Sequence, residues 1–306
     1  MFDLAVVGHF AIDLITSPSL DSPRTSLGGP PTYVSVSARR IDAKVSVISK
    51  VGDDFPDEYV RWLESCGIDL SGLIMVRGCK TTRFVLEYDR FGGRRLRVSS
   101  RAPPILGDDI PASLDAKAIH VAPIVNEVSA EAINRVRDLA EILTLDPQGF
   151  IRRISQDGIV QLVRMKNLSI LRNFDVMKAS QREIGIIAGG LDIKRAIKRI
   201  QGYGVRLVIA TLGSEGVFLT IDKRLYRIPP CTPERVVDLT GAGDAFMGGF
   251  LAEYVRGKDP IWCASVGSAS ASLMIEGLGP YHEWDKADVY ARASQAYENV
   301  VNEGSL

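Results

Sequence analysis

Compact apolar runs alternate along the chain with stretches in which apolar residues recur every three or four positions. "LAVVG" (4–8), "VSVISKVG" (45–52), "AIHVAP" (118–123), "LTLDP" (143–147) and "RLVIATLG" (206–213) are short, apolar and bounded by turn residues, and they read as buried strands. Between them, "PTYVSVSARRI" (31–41), "DEYVRWLESCG" (57–67), "AEAINRVRDLAEI" (130–142) and "IKRAIKRIQGYG" (193–204) carry a helical period, the second ending at Gly67. "NLSILRNF" (167–174) has strand-like apolar runs, and a last helix is expected over about 285–302. Strands alternating with helices predict right-handed crossovers and an α/β fold, its mostly parallel sheet lying between helices. Ligands of such sheets gather beyond the carboxyl ends of the strands. The Asp13 region, 122–123, 146–148 and 211–213 fall there.

Two stretches break the alternation. Residues 81–102, "TTRFVLEYDRFGGRRLRVSSRA", read as two strands joined at Gly92-Gly93 without a helix. Residues 11–29 are likewise extended and rich in turn residues. The two insertions are expected to pair into a small β lid over the ligand edge of a single domain spanning 1–306.

Composition narrows the partners. With 306 residues, 46% hydrophobic residues and no formal net charge, the chain has an ordinary globular make-up and lacks the basic excess that nucleic acid or an anionic membrane surface favours. Arg94, Arg95, Arg97 and Arg101 form a local basic cluster that reads as a solvated hairpin edge. No apolar run reaches the roughly 18 residues of a membrane span, and "MFDLAVVGHF" has no signal-peptide pattern, so a cytoplasmic monomer or homodimer is expected. The four cysteines lack CxxC spacing, and His9, His120 and His282 lack ligand-like spacing and read as strand-end or surface residues. Neither GxGxxG after the first strand nor GxxxxGK[ST] occurs, which disfavours a dinucleotide-binding oxidoreductase and a Walker-type NTPase.

The most informative stretch is "DLTGAGDAFMGGF", 238–250, where a glycine-rich turn runs into an apolar, small-residue helix. Unpaired amides at such a turn, aided by the helix dipole, bind anions. Asp244 directly after Gly241-Ala242-Gly243 either caps the helix or serves chemistry. A carboxylate beside a bound phosphate is unfavourable for binding alone. It makes sense as a base that takes the proton of a hydroxyl attacking that phosphate.

At these residues the sequence resembles the ribokinase-like (PfkB) carbohydrate kinases. "LGGPPTYVSVSARRI" resembles the family's di-glycine region, and "VVGHFAIDLI", "MKASQREI" and "TLGSEGV" stand in the family's order, so the likeness spans essentially the whole chain. It implies a ribokinase-like fold and transfer of the ATP γ-phosphoryl group to an alcohol with Mg²⁺. Asp244 is then the base, and the amides of Gly241, Ala242 and Gly243 form the anion hole. Asp13 would hold substrate hydroxyls and Gly28-Gly29 would let substrate rest on the backbone; a solvated turn acid and a plain turn are the alternatives. Thr211, Gly213, Ser214 and Gly216 would lie along the nucleotide, with Lys178 and Arg152 reaching phosphate. Arg152 reads equally as a helix-surface ion pair.

Glu183 takes the acid position of the family's magnesium-associated Asn-x-x-Glu pattern, acting through water, although Ser180 replaces the Asn. Asp238 and Thr240 match residues that give oxygens to a monovalent cation, K⁺, in some relatives, with Leu239 where Thr is commoner. Tyr33 stands where ribokinases carry a sugar-binding Asn, and the first insertion is short. "LGGPPTY", "DPQGFIR" and "MKAS" resemble the myo-inositol kinase-like branch most, which puts a cyclic polyol first, myo-inositol foremost, with a nucleoside or simple sugar behind. Tyr33 could equally stack on a base. A kinase-like protein that binds a small molecule without turnover is the alternative from another class.

Overall fold

Both faces of the first strand, β1 (Phe2–Val7), are covered: Leu4 and Val6 enter one core cluster, Ala5 and Val7 a second. That is why the strand reads as a continuous apolar run rather than an alternation. The computed structural model describes residues 1–16, 22–88 and 94–306. After β1 the chain forms β2 (Ala11–Thr16), β3 (Arg24–Gly28), α1 (Pro30–Arg40), β4 (Val45–Gly52), α2 (Asp57–Ser65) and β5 (Asp69–Val76). β6 (Thr82–Tyr88) and β7 (Arg94–Ser100) precede β8 (Ala116–Val121), α3 (Ala130–Leu139) and β9 (Ile142–Leu145). An antiparallel pair, β10 (Arg152–Ile154) and β11 (Val160–Leu162), leads to β12 (Val176–Ser180), α4 (Gln181–Ile187) and α5 (Ile193–Gln201). β13 (Leu207–Thr211), β14 (Val217–Ile221) and β15 (Arg224–Ile228) are followed by α6 (Ala242–Tyr254), α7 (Pro260–Met274), α8 (Lys286–Glu298) and β16 (Val301–Ser305).

The larger sheet has the order β16-β15-β14-β13-β12-β9-β8-β1-β4-β5, parallel from β13 to β5 and antiparallel in its last three strands. β1 pairs with both β4 and β8, so the strand order reverses there and opens a crevice beyond the carboxyl ends. One face is covered by α1, α2, α6, α7 and α8, the other by α3, α4 and α5. Helix α5 shows its single buried stripe, Ala196, Ile197 and Ile200. Helix α6 is apolar nearly all round because it is sandwiched: a β-carbon at Gly248 would run into the Val34 carbonyl of α1.

The second sheet is β3-β2-β6-β7, with β2 and β6 parallel. Its apolar side, Ala11, Ile15, Phe84, Leu86 and Val98, packs on Ile124 and Val125 beyond β8. The two insertions therefore do pair with one another; the expected Gly92-Gly93 turn lies outside the described residues. Arg95, Arg97 and Arg101 are exposed. Among the described residues no helix is long and apolar enough to cross a membrane.

Two local expectations fail, and one strand was not foreseen. "NLSILRNF" is a short 3₁₀ stretch, Leu168–Asn173, because Asn167 caps it by accepting from the Ser169 amide at 3.0 Å. The terminal helix stops at Glu298, and the mostly exposed Val301–Ser305 joins β15 through main-chain bonds that carry no apolar signature. Strand β5 was not legible from the pattern, since it is only partly buried. His9, just beyond β1, and His120, next to the last residue of β8, are at strand ends, and both are fully buried. Burial drives the His120 imidazole down to about 3, so it is neutral, with Nδ1 against the Thr144 hydroxyl at 2.8 Å.

Candidate active site

Two cavities open at the carboxyl edge of the larger sheet and share Thr211, Leu239, Ala242 and Gly243 as a common rim. The first, about 300 Å³, reaches from Asp13 across Tyr33 to Lys178 and Asp244. The second, about 410 Å³, extends over Gly213, Ser214 and Gly216 towards Phe246, Ala271 and Ile275. The glycine-rich turn separates them.

That turn is built by Gly241, which caps α6 at φ 76°, a left-handed conformation disfavoured for residues with a β-carbon. A β-carbon there would also fall into the Tyr33 ring. The Ala242 amide makes a long bond back to the Leu239 carbonyl at 3.4 Å. Among the described residues, the amides of Gly241, Gly243 and Asp244 donate to no protein acceptor. Of the three expected anion-hole donors, Gly241 and Gly243 are thus open and Ala242 is partly engaged, while the Asp244 amide adds an unforeseen one. Asp244 occupies the first turn of α6 and lines the first cavity, so it is not the capping residue.

Tyr33 is 2% exposed, its ring pressed against Gly241, which leaves no open face for a base. Burial and the nearby Asp13, Asp238 and Asp244 carboxylates hold its hydroxyl protonated, well above the usual tyrosine range. Asp13 is also buried, on β2 opposite Ser26. A β-carbon at Gly28 would land on the Asp13 carboxylate, so the first glycine of the pair makes room for the acid; Gly29, at φ 86°, starts α1.

The floor is charged. Lys178, on β12, forms an ion pair with Asp146, just beyond β9, and the two are 4% and 1% exposed. The ammonium lies 3.0 Å from where a β-carbon of Gly243 would stand. Burial alone would lower the Lys178 pKa; Asp146, Asp244 and Glu183 outweigh it and keep the ammonium charged. Burial pushes the Asp244 carboxyl up to about 7, opposed by Lys178 and Arg152 and reinforced by Asp146 and Glu183. Such a value suits a base working near neutral pH.

Arg152 lines the first cavity and donates from Nη1 to the Ile124 carbonyl at 3.2 Å; it opens β10 and is not on a helix surface. Glu183 lines the cavity as well. Its Oε2 accepts from the Ser180 amide at 2.8 Å and hydroxyl at 2.7 Å, closing a capping box that starts α4. Ser180 in place of Asn is thereby a helix cap. Thr211, Gly213, Ser214 and Gly216 line the second cavity, Gly213–Glu215 forming a 3₁₀ turn. Asp238 accepts from the Thr240 amide at 2.9 Å and the Gly279 amide at 3.4 Å. The buried Thr240 Oγ1 has no partner among the described residues.

Sequence reasoning missed Asp146, read only as a strand-end "DPQ", and the apolar wall of the first cavity, Phe84, Leu86, Leu96 and Ile124. The signal for the wall was present in the period-two alternation of β6, though not its direction.

The profile of the pfkB family carbohydrate kinases matches residues 1–287. The chain belongs to that family. It is a phosphotransferase with the ribokinase-like fold. A cytidine kinase of Thermococcus kodakarensis is 32% identical over 92% of this chain and 99% of its own length. A nucleoside kinase of Methanothermobacter thermautotrophicus is 30% identical over 90% of each chain. An inositol 3-kinase of Arabidopsis thaliana is 26% identical over 90% of this chain and 74% of its own. Among solved structures, a pyrophosphate-dependent kinase of the ribokinase family superimposes with a TM-score of 0.82 at 20% identity, covering 94% of this chain and 99% of that one. At that identity the likeness shows the fold alone.

Proposed function

We propose that this pfkB-family chain is an ATP-dependent kinase whose acceptor is a nucleoside, in place of the cyclic polyol that the short sequence motifs put first. The supporting observation is the two-sidedness of the first cavity: Asp13 stands at one end and Phe84, Leu86, Leu96 and Ile124 form an apolar wall. A sugar carrying a base matches both, its hydroxyls on the carboxylate and its ring against the wall. A cyclic polyol has hydroxyls all round, and burying them on that wall leaves them unpaired. Two relatives at 30% identity or above, named a cytidine kinase and a nucleoside kinase, point the same way.

In this reading Asp13 accepts from two sugar hydroxyls and the small sheet closes over the acceptor as a lid. Asp244 removes the proton of the attacking hydroxyl. The open amides of Gly241, Gly243 and Asp244, with Lys178, stabilise the charge on the transferring group, which supplies most of the rate in such chemistry. Arg152 offers a second cation. The second cavity takes the ATP base, with exposed Val236 and Leu239 at its rim. Mg²⁺ would neutralise the phosphates; no three acidic, histidine or cysteine donors converge among the described residues, so phosphate and water must supply most ligands, Glu183 acting through water. For K⁺ the fit is closer, since the unpartnered Thr240 Oγ1 lies beside the buried Asp238.

The test is an assay of phosphorylated acceptor over nucleosides, inositols and simple sugars, with ATP and pyrophosphate as rival donors. A nucleoside with ATP should exceed every inositol by about tenfold or more in kcat/KM. An inositol in first place would overturn the acceptor, pyrophosphate would overturn the donor, and no transfer at all would favour binding without turnover.

A further inference from the structure

The Lys178–Asp146 pair raises a question that the expected roles leave open. Strands β9 and β12 run parallel with Leu145 opposite Met177, so the next residue of each, Asp146 and Lys178, emerges side by side at the cleft floor. Asp146 is itself fixed: its Oδ1 accepts from the Gln148 amide at 3.2 Å, an Asx turn, while Oδ2 holds the lysine. The ammonium at the end of a flexible four-carbon stem thus has a rigid partner, and it stands beside Gly243. A second carboxylate, Asp244, shares the same cavity floor and acts on the same lysine.

We propose that Asp146 is a positioning residue that holds Lys178 beside Gly243, so that the ammonium faces the transferring phosphoryl group and does not ion-pair with the base Asp244. One lysine between two carboxylates that line the same cavity must be divided between them. Asp146 takes the ion pair, and Asp244 is left able to accept a proton. Without Asp146 the lysine would turn to Asp244, since Glu183, which also acts on it, is already engaged by the Ser180 amide and hydroxyl; the base would be neutralised and the phosphate position emptied together. The inference rests on the reading of Asp244 as base and Lys178 as phosphate ligand.

The groups facing Asp244 are Lys178 from β12, Asp146 beyond β9, Arg152 at the start of β10, Glu183 of α4 and Tyr33 of α1. Replacing Asp146 by Asn removes one repulsive carboxylate and frees Lys178 to approach. Both changes favour the ionised form of Asp244, so the acid limb of the pH–rate profile should move to lower pH.

The experiment compares the parent, Asp146→Asn, Lys178→Met and the double variant in kcat, acceptor KM and the pH dependence of kcat. Asp146→Asn should lose about 10²-fold in kcat, keep its acceptor KM within about threefold, and shift its acid limb downward. The double variant, which exchanges a buried ion pair for neutral groups and should fold even if Asp146→Asn does not, should be no slower than Lys178→Met alone. Losses that multiply in the double variant would overturn the proposal, as would a raised acceptor KM with an unmoved acid limb, which would make Asp146 an acceptor ligand. A parent without transfer activity would instead fault the functional reading beneath it.

Discussion

The two cavities that meet at Gly241–Asp244 are built from different materials. In the first cavity Asp13, Asp146, Lys178, Arg152, Glu183 and Asp244 gather beneath an apolar wall made by the small sheet and Ile124. In the second the lining is mostly small and apolar, with Gly213, Gly216, Phe246, Ala271 and Ile275, and no charged side chain. Charge is concentrated in the first cavity, where the proposed function puts the moving proton and phosphoryl group, and the neighbouring space offers surface and backbone. A base and ribose need room and apolar contact; a reacting hydroxyl needs ionisable groups with altered affinities for the proton.

Several substitutions sharpen that contrast. The largest effect belongs to the chemical floor: Asp244→Asn should lower kcat about 10³-fold and leave ATP affinity, read by calorimetry, nearly unchanged. A parallel fall in affinity would mean that the residue serves binding. Next is the shared turn. Gly241→Ala forces a β-carbon against Tyr33 in a left-handed conformation, and should cost about 1–3 kcal/mol of stability together with most of the turnover. The readouts are chemical denaturation and kcat, and a stable, active variant would remove the turn's strain from the account.

Smaller effects separate the two sides. Leu96→Ala should raise the nucleoside KM about tenfold without altering the ATP KM, and Val236→Ala should do the reverse; crossed effects would merge the two cavities functionally. The pH profile is subtler. An acid whose folded pKa is pushed above its ordinary 3.8 to about 7 disfavours its own ionised form in the folded state. Stability tied to Asp244 is therefore full below its unfolded value, falls as pH rises from there to the folded value, and stays lost above it. Activity should do the opposite and rise through pH 7 as the base ionises. Asp244→Asn should accordingly melt a few degrees higher than the parent at pH 8 and show no such gain at pH 4.

Much of the site was readable because its parts are local. "GAGDAF" carries its own turn, helix start and acid within six positions, and the alternation of strands and helices fixes which ends of the strands face the ligand. Asp13, Gly28 and Gly29 were likewise legible in place. Asp146 was not, because a single acid after a strand has no distinguishing pattern until a lysine 32 residues away in sequence stands next to it. Tyr33 was legible as a residue of the first cavity, but its burial against Gly241 depends on how closely α1 and α6 approach. Glu183 was placed at the site, yet its commitment to Ser180 follows from where α4 begins.

By itself the sequence determined the α/β class, the carboxyl edge of the larger sheet, the two extended insertions and the glycine-rich turn with its acid, since periodicity and turn chemistry act over a few neighbouring residues. Tertiary structure alone decided which face of β6 looks into the acceptor cavity, which carboxylate holds Lys178 and which amides stay open. Those depend on the order of strands and the distance between helices, and such relations arise from packing between segments that are remote along the chain.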